Sequence, residues 1–180
     1  MSPDRVLKFW FEDHTSADWF GGKSEFDDAV RAEFADLLAS ARQSELFAWR
    51  LTPKGRLAEI IVLDQFSRQL FRNDALAFSS DPLALALAQE AVAQGDDDVL
   101  TVGERQFLYM PYMHSESLTV QNESVKVFVK LDDLNALEYA HKHRAVIEQF
   151  GRYPMRNKAL NRTSTQQEID YIAERGGSMF

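Results

Sequence analysis

Asp64 and Arg68 stand one helical turn apart inside an apolar run. At about 100° per residue, Leu57, Ile60, Ile61 and Phe71 fall in one arc of a helix, with Asp64 and Arg68 in its middle. Charges persist in such a place only when paired and hydrogen-bonded. The spacing therefore predicts an ion pair that either fixes neighbouring helices in register or floors a ligand pocket. A second apolar arc, of Tyr139, Ala140, Val146, Ile147 and Phe150, has His143 near its centre and Arg144 at its edge. His141 falls on the opposite side, so His141 and His143 do not chelate a common ion. His114 and Glu116 follow Pro111, where a kinked or ended helix would leave an irregular segment in which side chains converge.

Charge is unevenly spread. The chain of 180 residues carries −8, yet Gly151 to Arg162 holds Arg152, Arg156, Lys158 and Arg162 and no acid, which leaves −12 on the rest. Arginine forks match carboxylates and phosphates, so this loop reads as an anion cradle. The other reading is that the same arginines cap helix carbonyls and pair with the excess acids. The acidic balance opposes nucleic acid as a partner. It does not oppose a small anion held locally.

The chemistry left open is narrow. No cysteine is present, which removes disulfides, thiol nucleophiles and Cys-based zinc sites. Nucleophile-elbow, HExxH and phosphate-loop patterns are missing, as is standard zinc or calcium spacing. No metal and no cofactor is therefore expected. Catalysis, if any, would run on His, carboxylate and Arg.

The elements that must place these residues read as helices throughout. With 45% hydrophobic and 12% aromatic residues the chain can bury a core, and its composition argues against disorder. Ser2-Pro3 opens a helix to Phe11. Phe26, Val30, Phe34, Leu37, Leu38 and Ala41 form an amphipathic stripe after Ser24. Thr52-Pro53 opens a third helix to about Arg72, and Asp81-Pro82 a fourth that Gly95 stops. Helices follow over 102–113 and 118–131, the latter also showing strand-like alternation. Another starts at an Asn135 cap and stops at Gly151, and the last opens at Ser164 or Thr165 and ends at Gly176-Gly177. The expectation is one all-α domain over 1–180, of seven to eight helices. Met1-Ser2-Pro3-Asp4 does not begin a secretory signal, and no run of about 18 apolar residues spans a membrane. A cytoplasmic protein is expected.

Three stretches carry a resemblance: Leu63 to Arg72 (LDQFSRQLFR), Glu104 to Glu116 (ERQFLYMPYMHSE), and Phe150 to Asn157 (FGRYPMRN) leading to Leu160-Asn161-Arg162-Thr163-Ser164-Thr165. With Val6 to Phe11 and Trp19-Phe20, they make the chain similar, over nearly its whole length, to the bacterial family catalogued as domain of unknown function 924. The resemblance implies a tetratricopeptide-like all-α fold of stacked antiparallel helix pairs and no established activity. Its pattern usually has Pro where Ser67 stands and Gly where Asn161 stands. Ser67 should remove a helix irregularity beside Asp64 and Arg68. Asn161 replaces Gly with a residue that tolerates positive φ better than most.

The family's motifs and the helical arcs select Asp64, Arg68, Arg105, His114, Glu116, Arg144, Arg156, Asn157 and Arg162, to which the second arc adds His143. Three readings follow. These side chains line a polar pocket for a small anion or a peptide carboxylate. Alternatively, His114 or His143 acts as general base with Glu116 or Asp64 orienting it, in a hydrolase. Or the polar cluster satisfies itself, and the protein is a scaffold that works through its surface.

Overall fold

The computed structural model describes residues 1–176, and among them there are helices and turns but no strand. Two compact units emerge: Met1–Arg72 with Leu76–Pro111, and Asn73–Ala75 with the chain from Tyr112 on.

In the first unit, α1 (Pro3–Phe11) begins at the expected Ser2-Pro3 and buries Val6, Leu7, Phe9 and Trp10. A short helix, α2 (Ser16–Trp19), follows; Trp19 stacks on Trp10 at 5.4 Å and its indole N–H donates to the Trp10 carbonyl. The stripe of α3 (Ser24–Arg42) buries Phe26, Val30, Phe34, Leu38 and Ala41, with Leu37 only half-buried. α4 (Pro53–Ile61) is capped by the Thr52 hydroxyl, which accepts from the Gly55 N–H. It is central: α1 and α6 (Asp81–Gln94) pack on it, and Leu57, Ala58, Ile60 and Ile61 are fully buried. Phe9, Phe34, Phe66, Trp10 and Phe107 supply the aromatic filling through edge-on and tilted contacts.

One expectation fails here. Ser67 does not remove the irregularity: the helix passes through a π turn at Val62–Phe66 before α5 (Ser67–Leu70), and it stops short of Arg72. The π turn puts Val62, Leu63 and Phe66, all fully buried, into the core while Asp64 keeps its buried position. Gly95 ends α6 at φ +80°, as its position predicts.

α7 (Val102–His114) covers the expected span and runs one residue further; Pro111 lies inside it and does not end it. Its last turn belongs to the second unit, and the carbonyls there are taken by side chains of that same unit. Gln121 Nε2 lies 2.8 Å from the Met113 oxygen and 2.7 Å from that of Ser115, Tyr153 donates its hydroxyl to Met113, and Arg156 donates to His114. These bonds satisfy groups that a helix end otherwise leaves open. α8 (Leu118–Val129) is a helix, so burial and not alternation decided that segment; a four-residue link joins it to α9 (Leu134–Phe150), on which it packs. The cap of α9 is Asp133 rather than Asn135. Its carboxylate accepts from the Asn135 and Ala136 N–H groups, so a carboxylate two residues earlier satisfies two donors. α9 ends at Gly151, φ +69°. α10 (Gln166–Glu174) opens with a Thr165–Glu168 capping box. It ends two residues before Gly176; Gly177 lies outside the described residues. No described helix is long and apolar enough to cross a membrane.

Candidate functional site

The residues selected from the sequence fall into two groups. Asp64, Arg68 and Arg105 belong to the first unit. His114, Glu116, His143, Arg144, Arg156, Asn157 and Arg162 belong to the second.

In the first group, the ion pair predicted from spacing forms: Arg68 Nη1 is 3.2 Å from Asp64 Oδ1 and also donates to the Asp64 carbonyl. A second carboxylate joins it. Asp81, at the start of α6, accepts two parallel bonds from Arg68 at 3.0 and 3.1 Å. The other carboxylate oxygen of Asp64 accepts from Gln65 Nε2 at 2.6 Å. The guanidinium thus sits between two carboxylates and ties α5 to the start of α6. Sequence reading assigned Asp81 only to a helix start. Sequence separation, 13 residues, hid its partner.

Arg105 behaves differently. It is half-buried on α7, its Nε is shielded from solvent, and it has no hydrogen bond or ion pair among the described residues. Its neighbour Glu104 takes Lys54 instead, at 3.2 Å. Four residues on, Tyr109 donates its hydroxyl to Asp97 at 2.6 Å. Burial and that carboxylate push the phenol far above its ordinary range, against the opposing field of Arg105.

In the second group, Glu116 is the hub. Its carboxylate accepts two bonds from Arg162, at 2.7 and 3.0 Å, and one from the Tyr153 N–H at 2.8 Å. Burial alone would raise its pKa, but the Arg162 and Tyr153 bonds outweigh burial and hold it below the usual carboxylate range. Arg162 also reaches the Asn157 side chain and the Tyr153 carbonyl. That closes the turn in which Asn161 sits at φ +51°. Asn157 hydrogen-bonds Ser164, and Arg152 is bidentate to Glu168. The basic loop is therefore knitted by its own arginines to acids before and after it.

Arg156 is buried, donates to the last carbonyl of α7 at 2.9 Å and lies over the Tyr153 ring at 4.6 Å. His114 is the last residue of α7 rather than part of an irregular segment. Its ring is 6.3 Å from that of buried His143, which meets Tyr153 edge-on at 5.7 Å and shares a hydrogen bond between Nδ1 and the Tyr139 carbonyl. His141 is exposed, as its helical position required. Arg144 takes no part in this cluster; it bonds Asn122 and Glu148 on an exposed face. Tyr153 and Gln121, both fully buried, are hub residues that sequence reading passed over. The Tyr153-Pro154 pair reads as a loop, and only the tertiary setting buries it. Among the described residues no three His, Asp or Glu side chains gather as a metal site would require.

An all-α protein with arginines tied to its own carboxylates and helix ends is the class that fold and site define. The chain belongs to the family described as bacterial protein of unknown function (DUF924), whose model matches residues 6–176. It is similar to a solved structure, a protein of unknown function, ATU0120, from Agrobacterium tumefaciens. Identity is 33%, with 96% of this chain and 97% of that one covered, at a TM-score of 0.91. No curated protein matches.

Proposed function

We propose that the protein is a helical scaffold whose polar clusters serve the fold and whose work is done at its surface. The observation that carries this reading is the commitment of the arginines. Arg68 is divided between Asp64 and Asp81, Arg162 is bidentate to Glu116, Arg152 is bidentate to Glu168, and Arg156 closes the end of α7. An arginine already forked onto a carboxylate has little left with which to attract a ligand's anion. The same commitment weakens the hydrolase reading, since Glu116 and Asp64 are bonded to arginine and would have to leave it to orient a histidine. Exposed apolar side chains are available in the first unit. Phe47 and Leu51 lie on the turn before α4, Val99 ends the turn before α7, and Val102 begins α7. The Lys54–Glu104 ion pair brings these two ends together. The setting proposed for such a scaffold is the cytoplasm.

Thermal melts against a panel of inorganic phosphate, citrate and peptides with free C-termini test the reading. Wild type should melt at the same temperature in every member of the panel, while Arg68→Ala and Arg162→Ala should melt lower with no additive present. A panel member that raises the wild-type midpoint, but not that of an Arg68→Ala, Arg156→Ala double variant, would sink it.

Arg105 favours a second reading. A half-buried guanidinium without an acceptor among the described residues is a place where a small anion or a peptide carboxylate could dock. Under this reading the stabilisation by one panel member survives in Arg156→Ala and disappears in Arg105→Ala. A panel that acts equally on wild type and Arg105→Ala excludes it.

A further inference from the structure

Gln121 and Ser124 stand one turn apart on α8, so they share one face of that helix. Both are fully buried. The amide nitrogen of Gln121 is crowded by acceptors: the Met113 and Ser115 carbonyls at 2.8 and 2.7 Å, and the Tyr153 hydroxyl at 2.8 Å. This fixes the orientation of the amide, because turning it over would set its oxygen against two carbonyl oxygens. Oε1 must then face the other way. There it has no hydrogen-bond partner among the described residues, and neither has Ser124 Oγ. Two solvent-shielded, unanswered oxygens on one helix face are uncommon in a folded protein, and such groups are ordinarily satisfied by a bound water or another polar group.

We infer that Gln121 Oε1 and Ser124 Oγ form a buried site for an uncharged O–H or N–H donor, which bridges the two side chains. The chemistry of the pair sets the occupant. Oε1 can only accept, so an anion without a proton to give is excluded, and a hydroxyl at Ser124 can either accept from the occupant or donate to it. Residues three apart on a helix are neighbours, with Cβ atoms about 5–6 Å apart, which is the span a single small group would bridge. Two sources share this chemistry: an internal water molecule, or the hydroxyl or amine of a small ligand. No arginine donates to either oxygen among the described residues. An occupant there would extend the hydrogen-bonded group formed by Gln121, Tyr153 and the end of α7.

A high-resolution crystal structure of the full chain, with thermal melts of wild type, Gln121→Met and Ser124→Ala, tests the inference. The expected density lies within hydrogen-bond distance of both oxygens. One isolated peak identifies water, and density continuing beyond it identifies a ligand; either supports the site. Ser124→Ala should lose the density and lower the melting midpoint by about 2–4 °C, the shift that about 1 kcal/mol produces in a chain of this size. Gln121→Met also removes the bonds to the end of α7 and can fail to fold, so Ser124→Ala carries the decision. Absence of density, with Ser124→Ala melting at or above wild type, would overturn the proposal, because deleting a truly unanswered hydroxyl relieves its burial.

Discussion

Arg68 in the first unit and Arg156 in the second are both shielded arginines, yet their charges are met in different ways. Arg68 lies between two full carboxylate charges, Asp64 and Asp81. Arg156 lies against the carbonyl end of α7 and over an aromatic ring. A helix end offers about half an elementary charge, and its influence fades within a turn. The contrast teaches that the same residue type, equally visible in the sequence, can be a charge-pair lock in one unit and a helix cap in the other. Only the first should respond strongly to removal of a single acid.

The largest effect should come from Asp64→Ala. Asp64 is 1% exposed, and removing one member of a buried pair costs about 3–5 kcal/mol. Urea unfolding should show that loss with an unchanged slope. Glu116→Gln disables the equivalent acid in the second unit, where the pair is partly solvated. The loss of charge-assisted bonds from Arg162 should cost about 1.5–3 kcal/mol by the same measurement. For the helix cap, Arg156→Met keeps the bulk over Tyr153 and removes the donor to His114. A loss of about 1–2 kcal/mol is expected; a loss as large as that of Asp64→Ala would erase the distinction between lock and cap.

A pH titration sharpens the comparison on the acid side. Arg152, and then the Thr165 N–H, hold Glu168 at a pKa of about 2 in the folded chain, against an ordinary 4.5, despite its burial. A depressed carboxylate contributes stability that is present above its unfolded pKa and lost as pH falls through the folded one. Stability should therefore decline from about pH 4.5 towards pH 2, and Glu168→Gln should flatten that limb in acid melts while leaving the arginine-to-carbonyl cap of α7 untouched. The smallest effect belongs to Asn161→Gly. The residue is at φ +51°, where glycine is unstrained but freer when unfolded, so the midpoint should move by less than about 1 kcal/mol in either direction.

Much of this was legible beforehand. The arc through Leu57, Ile60 and Ile61 located the Asp64–Arg68 pair because i and i+4 are neighbours on any helix, and Gly95 and Gly151 ended their helices where left-handed residues were required. Local rules failed where tertiary bonds prevailed. His114 closes α7 instead of lying in an irregular segment, and the final carbonyls of that helix are taken by Gln121, Tyr153 and Arg156. The expectation that Ser67 leaves a regular helix failed, since a π turn spans Val62–Phe66 just before it. Asp81 as partner of Arg68 and Glu116 as partner of Arg162 lie 13 and 46 residues away, and no periodicity carries information over such separations. The charge excess of the 151–162 loop was plain in the sequence. Its destination, the protein's own acids and a helix end, was the one of two readings that needed coordinates.

The central claim is that the arginines of these clusters belong to the fold and not to a ligand. Nitrogen-resolved spectra of the arginine Nε–H groups, recorded while phosphate, citrate and a peptide with a free C-terminus are titrated in turn, test it most directly. The account predicts that the signals of Arg68, Arg152, Arg156 and Arg162 stay in place throughout, whatever Arg105 does. Saturable movement of Arg68, Arg156 or Arg162 with any of these anions would contradict it.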